Sequence, residues 1–162
     1  MIARQETRIG LLTMEAEHGL LLQVILPGSP VIPRGHETIQ TESQSSEDKK
    51  ILEAAFLQIQ AYLEGNRKTF SIPFQFYGSP FQEKIWNALL RIPYGETRTY
   101  GELASMAEKP LAFRAAGGAC HQNPLPILIP CHRVVAAKGL GGFGGGLKLK
   151  TFLLTLEQKH RL

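Results

Sequence analysis

The sequence predicts a small α/β lobe followed by a mostly helical lobe that contains a helix-turn-helix. Apolar and polar residues alternate in the first half as they do in β-strands, around one amphipathic helical stretch. The second half carries two capping-box patterns of the kind that begin helices. The stretch "YGSP" lies between the halves, so we place the lobes at residues 1–78 and 79–162 of the 162-residue chain.

The amino-terminal lobe is predicted to pair two strands, "RIGLLTM" and "HGLLLQVIL", across a hairpin loop "EAEHG". A further strand is predicted in "TFSIPFQFYG", where four apolar residues alternate: Phe70, Ile72, Phe74 and Phe76. Between them, residues 27–48 are rich in Pro, Gly, Ser and charge and predict a loop. A helix follows in "SEDKKILEAAFLQIQAYLEGN", with serines as candidate caps and Gly65 at its end.

The second lobe is predicted to begin with a helix capped by Ser79 and Gln82. Thr99 and Glu102 form a second capping box, which starts a short helix. After the turn "EKP", Pro110 is predicted to open the helix "PLAFRAAGGAC", which completes the helix-turn-helix. We expect "LPILIP" to be a buried strand or extended segment and "HRVVAA" to continue extended. A glycine-rich loop at 139–146 and the final helix "LKLKTFLLTLEQK" follow.

Composition and charge narrow the function classes. Residues 1–79 carry seven Lys or Arg against nine Asp or Glu, and residues 80–162 carry eleven against five, so the net charge of +4 divides into −2 and +6. A basic half suits a nucleic-acid surface, although a solvated basic face explains the charge alone equally well. The first residues do not resemble a secretory signal, and the apolar runs are too short to span a bilayer. We therefore expect a cytoplasmic protein, associated with the nucleoid if it is bacterial, and no membrane partner.

Two cysteines, Cys120 and Cys131, are too few for a disulfide framework, and the scattered histidines offer no zinc-ligand spacing. We expect no metal and no cofactor. A buried cysteine is usually an inert small hydrophobe, and this is the expectation for Cys120. Cys131 stands before His132 and Arg133, where a thiol can be activated. Side chains of adjacent strand residues point opposite ways, so His132 can assist only if the chain turns at Pro130 or a water bridges them.

The predicted second helix of the helix-turn-helix contains Gly117 and Gly118, each of which costs about 1 kcal/mol relative to alanine. Close helix–helix packing explains two such glycines. A smooth helix surface against DNA explains them as well, with Arg114 as a single long cation that can insert into the base stack.

The stretches "TYGELA", "RAAGGACHQNPLPILIPCHRVV" and "LLTLE" together resemble the O6-alkylguanine-DNA alkyltransferases, the methylated-DNA–protein-cysteine methyltransferases. The resemblance is strong over residues 79–162 and loose in the first half, which it implies is a ribonuclease H-like lobe. It implies irreversible, single-turnover transfer of an alkyl group from O6-alkylguanine, and from O4-alkylthymine, in duplex DNA to Cys131. The base is expected to be flipped through the minor groove.

The resemblance also implies a role for each site residue. His132 deprotonates Cys131 through a water, and Glu157 orients His132. Asn123 is a hinge between the DNA-binding helices and the active-site segment, and Tyr100 donates a proton towards the departing guanine. The expected DNA contacts are Arg114, Thr99, Tyr100, Ala115 and Gly118. The expected pocket residues are Pro126, Phe143, Gly144 and Gly145.

Three other function classes were compared with this one. Alkyltransferase-like proteins bind lesions without transfer, and they lack the cysteine that Cys131 supplies. A helix-turn-helix regulator leaves Tyr100, Asn123 and Glu157 unexplained together, and a Cys-His hydrolase lacks an oxyanion-hole motif. Phe143 and Gly144 stand where some relatives carry tyrosine and serine, which affects the expected substrate range. The expected partner is double-stranded DNA with an alkylated guanine, bound by a monomer, and cooperative binding stays open.

Overall fold

The structure of the protein, a computed structural model, describes residues 1–29, 31 and 42–161. The chain divides into two compact units, Met1–Phe76 and Tyr77–Leu162, and each is described by itself. Within the described residues no helix is long and apolar enough to cross a membrane. Half of the predicted loop at 27–48, residues 30 and 32–41, lies outside the described residues, and its last part, from Glu42, is helical.

The first unit is a three-stranded antiparallel sheet, in the order β1 (Ile2–Thr7), β2 (Gly10–Glu17) and β3 (Leu20–Ile25), packed on helix α1 (Glu42–Leu63). The sequence analysis did not predict β1. The loop predicted at "EAEHG" is wrong, because β2 runs through Glu17 and only His18 and Gly19 form the turn. Both have positive φ, 53° and 73°, as a tight two-residue hairpin turn requires. The Gly19 N–H also donates to the buried Asp48 Oδ1 of α1 at 2.8 Å.

Helix α1 begins four residues before the predicted helix, so Ser46 lies inside it and is not a cap. The sequence pattern predicts an apolar stripe in this helix, and all of its members except the half-buried Ile51 are buried: Leu52, Ala55, Phe56, Ile59, Tyr62 and Leu63. Gly65 follows with a φ of +79° and ends the helix as predicted. The strand predicted at "TFSIPFQFYG" reduces to one parallel bridge between Leu21 and Phe74, since Pro73 has no N–H to donate to a ladder.

The second unit is mostly helical, as predicted. Its helices are α2 (Pro80–Leu89), α3 (Tyr100–Met106), α4 (Phe113–His121) and α5 (Leu147–Lys159). Both capping boxes are present, with Ser79 accepting from the Gln82 N–H and Thr99 from the Glu102 N–H, each at 3.1 Å. Helices α2, α3 and α4 pack on one another, and the Trp86 indole N–H donates to the Ala119 carbonyl at 2.9 Å. Helices α3 and α4 form the helix-turn-helix, but α4 begins at Phe113, and Pro110 lies in the preceding turn.

Two expectations about the segment before α5 are wrong. "LPILIP" is buried but is a turn, in which Ile127 has a φ of +76°, a strained value for a β-branched residue. Cys131–Arg133 form a short 3₁₀ turn directly after Pro130, so the chain turns there. Only β5 (Val134–Val135) is extended, pairing in parallel with β4 (Arg98–Thr99). This pairing brings the start of α3 beside the cysteine segment.

Candidate active site

Cys131 lies in a small pocket of the second unit, which we call the acceptor pocket. The residues that line it are Tyr100, Gly117, Cys120, His121, Cys131, Gly142, Phe143 and Gly144. Its free volume is about 10 Å³, roughly the space of one water molecule. Any ligand larger than a water molecule therefore enters only if part of this lining shifts outward.

Burial sets the resting state of the acceptor-pocket thiol. It raises the pKa of Cys131, and a hydrogen bond from Asn123 and the charge of Lys150 oppose this without reversing it. At neutral pH Cys131 is thus a thiol, and a base has to remove its proton before attack. Burial likewise raises the pKa of Tyr100, which keeps its phenol protonated and able to donate.

His132 and Glu157 form a buried pair next to the cysteine. The Nε2 of His132 lies 2.6 Å from the Oε2 of Glu157, and both side chains are at most 1% exposed. Burial lowers the pKa of His132, which leaves it neutral at pH 7. Because Nε2 faces a carboxylate, we assign the imidazole proton to Nε2, and Nδ1 carries the lone pair that can accept a proton. This is the base–orienter half of a Cys-His-Glu arrangement.

The carboxylate of Glu157 is held from several sides. Arg133 donates from Nε to Oε1 at 2.8 Å and from Nη2 to Oε2 at 3.2 Å, and the Gly95 N–H donates to Oε1 at 2.9 Å. Burial by itself raises the pKa of Glu157, but the hydrogen bonds from His132 and Arg133, together with the positive charge of Arg133, outweigh it and lower the pKa to about 2. Glu157 is therefore a fixed anion. The sequence analysis considered Arg133 only as a neighbour that could help to activate the cysteine, whereas its guanidinium binds Glu157, and it assigned no role to Gly95.

Asn123 bridges the strained turn that leads to the cysteine. Its Nδ2 donates to the Ile129 carbonyl at 2.8 Å, and its Oδ1 accepts from the Leu125 N–H at 2.9 Å. These bonds join the end of α4 to the segment before Cys131. They also help to hold the backbone of Ile127 in its positive-φ conformation, which costs about 1–3 kcal/mol. Asn123 thus occupies the position expected of a hinge residue.

Lys150 is a buried cation that the sequence analysis missed. Its ammonium group donates to the carbonyls of Val134, Leu140 and Gly142 at 2.5, 2.6 and 3.0 Å. The Gly142 carbonyl also accepts from the Tyr100 hydroxyl at 3.5 Å. Lys150 therefore anchors the glycine-rich loop at two of its residues, Leu140 and Gly142. Its position three residues before buried Leu153 and seven before Glu157, on one stripe of α5, was a usable sequence signal.

Replacing Lys150 with methionine is expected to raise the pKa of the Cys131 thiol, whose anion the ammonium group stabilises. One buried and two partly buried carbonyls would lose their donor, at a cost of about 2–3 kcal/mol of unfolding free energy. The measurement is the rate of thiol modification by iodoacetamide against pH. Lys148→Met, an exposed lysine on the same helix, is the control and should behave as the wild type. An unchanged thiol titration in Lys150→Met would contradict the electrostatic role.

The residues predicted to contact DNA lie mostly on the exposed side of the helix-turn-helix. Arg114, Ala115 and Gly118 are exposed on α4, whereas Tyr100 is partly exposed and lines the acceptor pocket. The Thr99 hydroxyl caps α3. A Cβ on Gly118 would meet no protein atom within 4 Å, and one on Gly117 would meet only the Tyr100 ring at ordinary contact distance. Helix packing therefore does not explain Gly118, which leaves the open surface as its explanation.

Of the predicted pocket residues, Phe143 and Gly144 line the acceptor pocket. In the described structure Pro126 and Gly145 are not part of its lining. Pro126 is instead buried in the turn before Ile129. Gly141 has a φ of +72°, and a Cβ there would lie 2.9 Å from the Tyr100 ring, so this glycine lets the loop approach Tyr100. Cys120, expected to be a packing residue, also lines the pocket.

Among the described residues no group of three His, Cys, Asp or Glu side chains is placed to hold a metal ion.

Comparison with known proteins identifies the family. Residues 80–159 match the family model of the DNA-binding domain of 6-O-methylguanine DNA methyltransferase, and residues 2–76 match that of its ribonuclease-like domain. The chain belongs to the 6-O-methylguanine DNA methyltransferase family. The resemblance stated from the sequence is thereby confirmed, and with it the enzyme class, methylated-DNA–protein-cysteine methyltransferase, a class of DNA-repair enzymes.

Individual relatives agree with this family membership. The chain is 40% identical over 155 residues to the constitutive methylated-DNA–protein-cysteine methyltransferase of Bacillus subtilis, covering 94% of this chain and 92% of that protein. It is 46% identical over 114 residues to the inducible one of the same organism, a match that covers 70% of this chain and 64% of that protein. A crystal structure of Mycobacterium tuberculosis OGT in complex with DNA superposes with a TM-score of 0.83 at 37% identity, covering 97% of this chain and 92% of that one.

Proposed function

We propose that this family member removes the alkyl group of O6-alkylguanine, and of O4-alkylthymine, from duplex DNA by irreversible transfer to Cys131. The base is flipped out through the minor groove into the acceptor pocket. The observation that carries the proposal is the placement of Cys131 in one pocket with Tyr100, directly before the buried His132–Glu157 pair. The protein acts as a monomer in the cytoplasm, without a metal or cofactor.

The reaction follows from the resting states of the groups. A water passes the thiol proton of Cys131 to neutral His132, and Glu157 stabilises the imidazolium that forms. The thiolate attacks the saturated alkyl carbon, a carbon–sulfur bond forms, and the bond from that carbon to O6 of guanine breaks. The departing guanine accepts a proton from the Tyr100 phenol. The thioether product has no hydrolytic route back to a thiol, so each molecule reacts once.

The glycine-rich loop at 139–146 forms one wall of the acceptor pocket through Gly142, Phe143 and Gly144. This wall has to move for the reaction, since the pocket has room for only about one water molecule. Lys150 anchors this wall at the carbonyls of Leu140 and Gly142. It makes no hydrogen bond to Phe143 or Gly144, which follow Gly142 in the chain and also line the pocket. The wall can therefore open at these two residues while Tyr100 keeps its contact with Gly142.

The test is incubation of the protein with duplex DNA that carries a radiolabelled methyl group on O6 of guanine. The expected result is label on the protein, at one methyl group per molecule, that resists heating and denaturation. An alkyltransferase-like protein would bind the duplex and leave the label on DNA. If the label leaves the DNA but is released to solvent and does not become attached to the protein, the acceptor reaction is overturned.

Arg114→Ala is expected to slow methyl transfer from duplex DNA far more than transfer from free O6-methylguanine. Flipping a base costs a few kcal/mol, and the exposed Arg114 offsets part of that by occupying the space the base leaves. We expect a loss of about 10- to 100-fold on duplex DNA and little change on the free base. The measurement compares single-turnover rates on the two substrates.

Lys84→Ala, which removes an exposed cation from α2 of the same unit, serves as the control and should leave both rates close to wild type. Equal losses on duplex and free base in Arg114→Ala would mean that Arg114 has a structural role instead.

A further inference from the structure

Two large apolar side chains stand exposed beside Arg114. Leu111 is 91% exposed, more than any other large apolar side chain in the described residues, and Phe113 is 49% exposed. Leu111 lies in the turn before α4, and Phe113 is the first residue of that helix. Single exposed apolar side chains are common on protein surfaces, so it is the position of this pair, and not its exposure alone, that points to a function.

The fold of the second unit gives no reason for the exposure of Leu111, whereas Phe113 buries about half of its surface against the protein. Helix α4 packs through its small residues Ala116 and Ala119, and the Trp86 indole bonds the Ala119 carbonyl. Leu111 buries almost nothing against the protein, so a polar residue there would leave this packing intact. The pair is thus available for contacts outside the chain.

The pair lies at the amino-terminal end of α4, next to the exposed face of that helix. Arg114, Gly118 and His121 are spaced by four and three residues and share the exposed face of α4. The space beside Gly118 is open. This face belongs to residues 80–159, which match the family's DNA-binding domain and carry ten Lys or Arg against five Asp or Glu, a net charge of +5. Duplex DNA is therefore the occupant that the surroundings of Leu111 and Phe113 indicate.

We propose that Leu111 and Phe113 form an apolar wedge that enters the groove beside Arg114 and unstacks the base step next to the flipped nucleotide. The proposal rests on the proposed function, because it deepens how the same helix opens the duplex. Apolar side chains inserted between base steps are a known means of unstacking and kinking DNA. An aromatic ring such as that of Phe113 also stacks on a base regardless of its identity. Arg114 supplies the charge, and the pair supplies the apolar contact.

The first test places 2-aminopurine next to O6-methylguanine in a duplex, since its fluorescence rises when stacking is lost. The wild-type protein is expected to raise the fluorescence, and Leu111→Ser and Phe113→Ser are expected to reduce the rise and to weaken binding by about tenfold. Leu57→Ser, an exposed leucine of α1, is the control. Leu111→Ser keeps the test valid even if Phe113→Ser, which is half-buried, lowers stability.

Salt dependence separates the apolar contact from charge. The slope of log K against log salt concentration reports the number of phosphate charges neutralised. Leu111→Ser should lower the affinity equally at all salt concentrations and leave the slope unchanged. Removal of Arg114 is expected to reduce the slope if that cation meets phosphate. A changed slope in Leu111→Ser would contradict an apolar role.

A third measurement distinguishes failure of the wedge from failure of the proposed function. Methyl transfer from free O6-methylguanine needs no unstacking, so Leu111→Ser should match the wild type on it. If wild-type protein takes up methyl groups but Leu111→Ser and Leu57→Ser bind and unstack the duplex alike, the wedge is refuted and the repair function stands. If wild-type protein takes up no methyl group from either substrate, the repair function itself fails.

Discussion

Cys131→Ser protein is expected to bind O6-methylguanine duplex DNA with wild-type affinity and to take up no methyl group. The serine hydroxyl is a far weaker nucleophile than a thiolate, and the neutral His132 next to it is too weak a base to ionise it in the time of the assay. Burial of the smaller, more polar hydroxyl costs about 1–3 kcal/mol of unfolding free energy, a loss that leaves the protein folded. Methyl uptake is measured by intact mass after incubation with the duplex.

Cys120→Ser is the matched control, since Cys120 lines the same pocket. Burial, with a contribution from Cys131, raises the pKa of Cys120 to about 12, so this thiol supplies almost no thiolate at neutral pH. Cys120→Ser should therefore keep its methyl uptake. If Cys131→Ser still gained the methyl mass, Cys120 or another residue would have to be the acceptor.

Glu157→Gln is expected to destabilise the protein by about 3–5 kcal/mol and to slow methyl uptake strongly. The substitution leaves the buried guanidinium of Arg133 without its counter-charge, which is the costly way to break a buried ion pair. Its amide also cannot accept from both His132 and Arg133 as two carboxylate oxygens do. The unfolding free energy is measured by urea denaturation, and the rate by single-turnover transfer.

The control is Glu96→Gln, which breaks the exposed Glu96–Arg98 pair and should cost no more than about 1 kcal/mol of unfolding free energy.

The pH dependence of the unfolding free energy gives an independent check. The pKa of Glu157 falls from 4.5 in the unfolded chain to about 2 in the folded one. Its carboxylate therefore contributes stability that is complete above pH 4.5 and is lost as the pH falls towards 2. The stability gap between wild type and Glu157→Gln should shrink over that range, and a constant gap would mean that the charge of Glu157 is not what stabilises the fold.

Local patterns allowed correct prediction where the cause of the structure is local. The capping boxes at Ser79 and Thr99 were found from spacing alone, because the bonds join residues three apart. The apolar stripe of α1 was found because a 3.6-residue period is visible in any window. The resemblance around "PCHRV" supplied the site residues, which no spacing argument brought together.

Interactions between distant segments were the source of the errors. The turn at "LPILIP" was missed since a positive φ at Ile127 contradicts its local preference and depends on the bonds of Asn123. Lys150 was missed because its partners are backbone carbonyls eight to sixteen residues away, and carbonyls carry no sequence signal. The position of Cys120 in the pocket likewise depends on how α4 meets the cysteine segment.

The central claim is that Cys131 alone accepts the alkyl group. The most direct measurement is peptide mapping by mass spectrometry of wild-type protein after reaction with O6-methylguanine duplex DNA. The account predicts a single methyl group on the peptide that contains Cys131, at one per molecule, and an unmodified Cys120. A methyl group on Cys120, or on any residue other than Cys131, would contradict it.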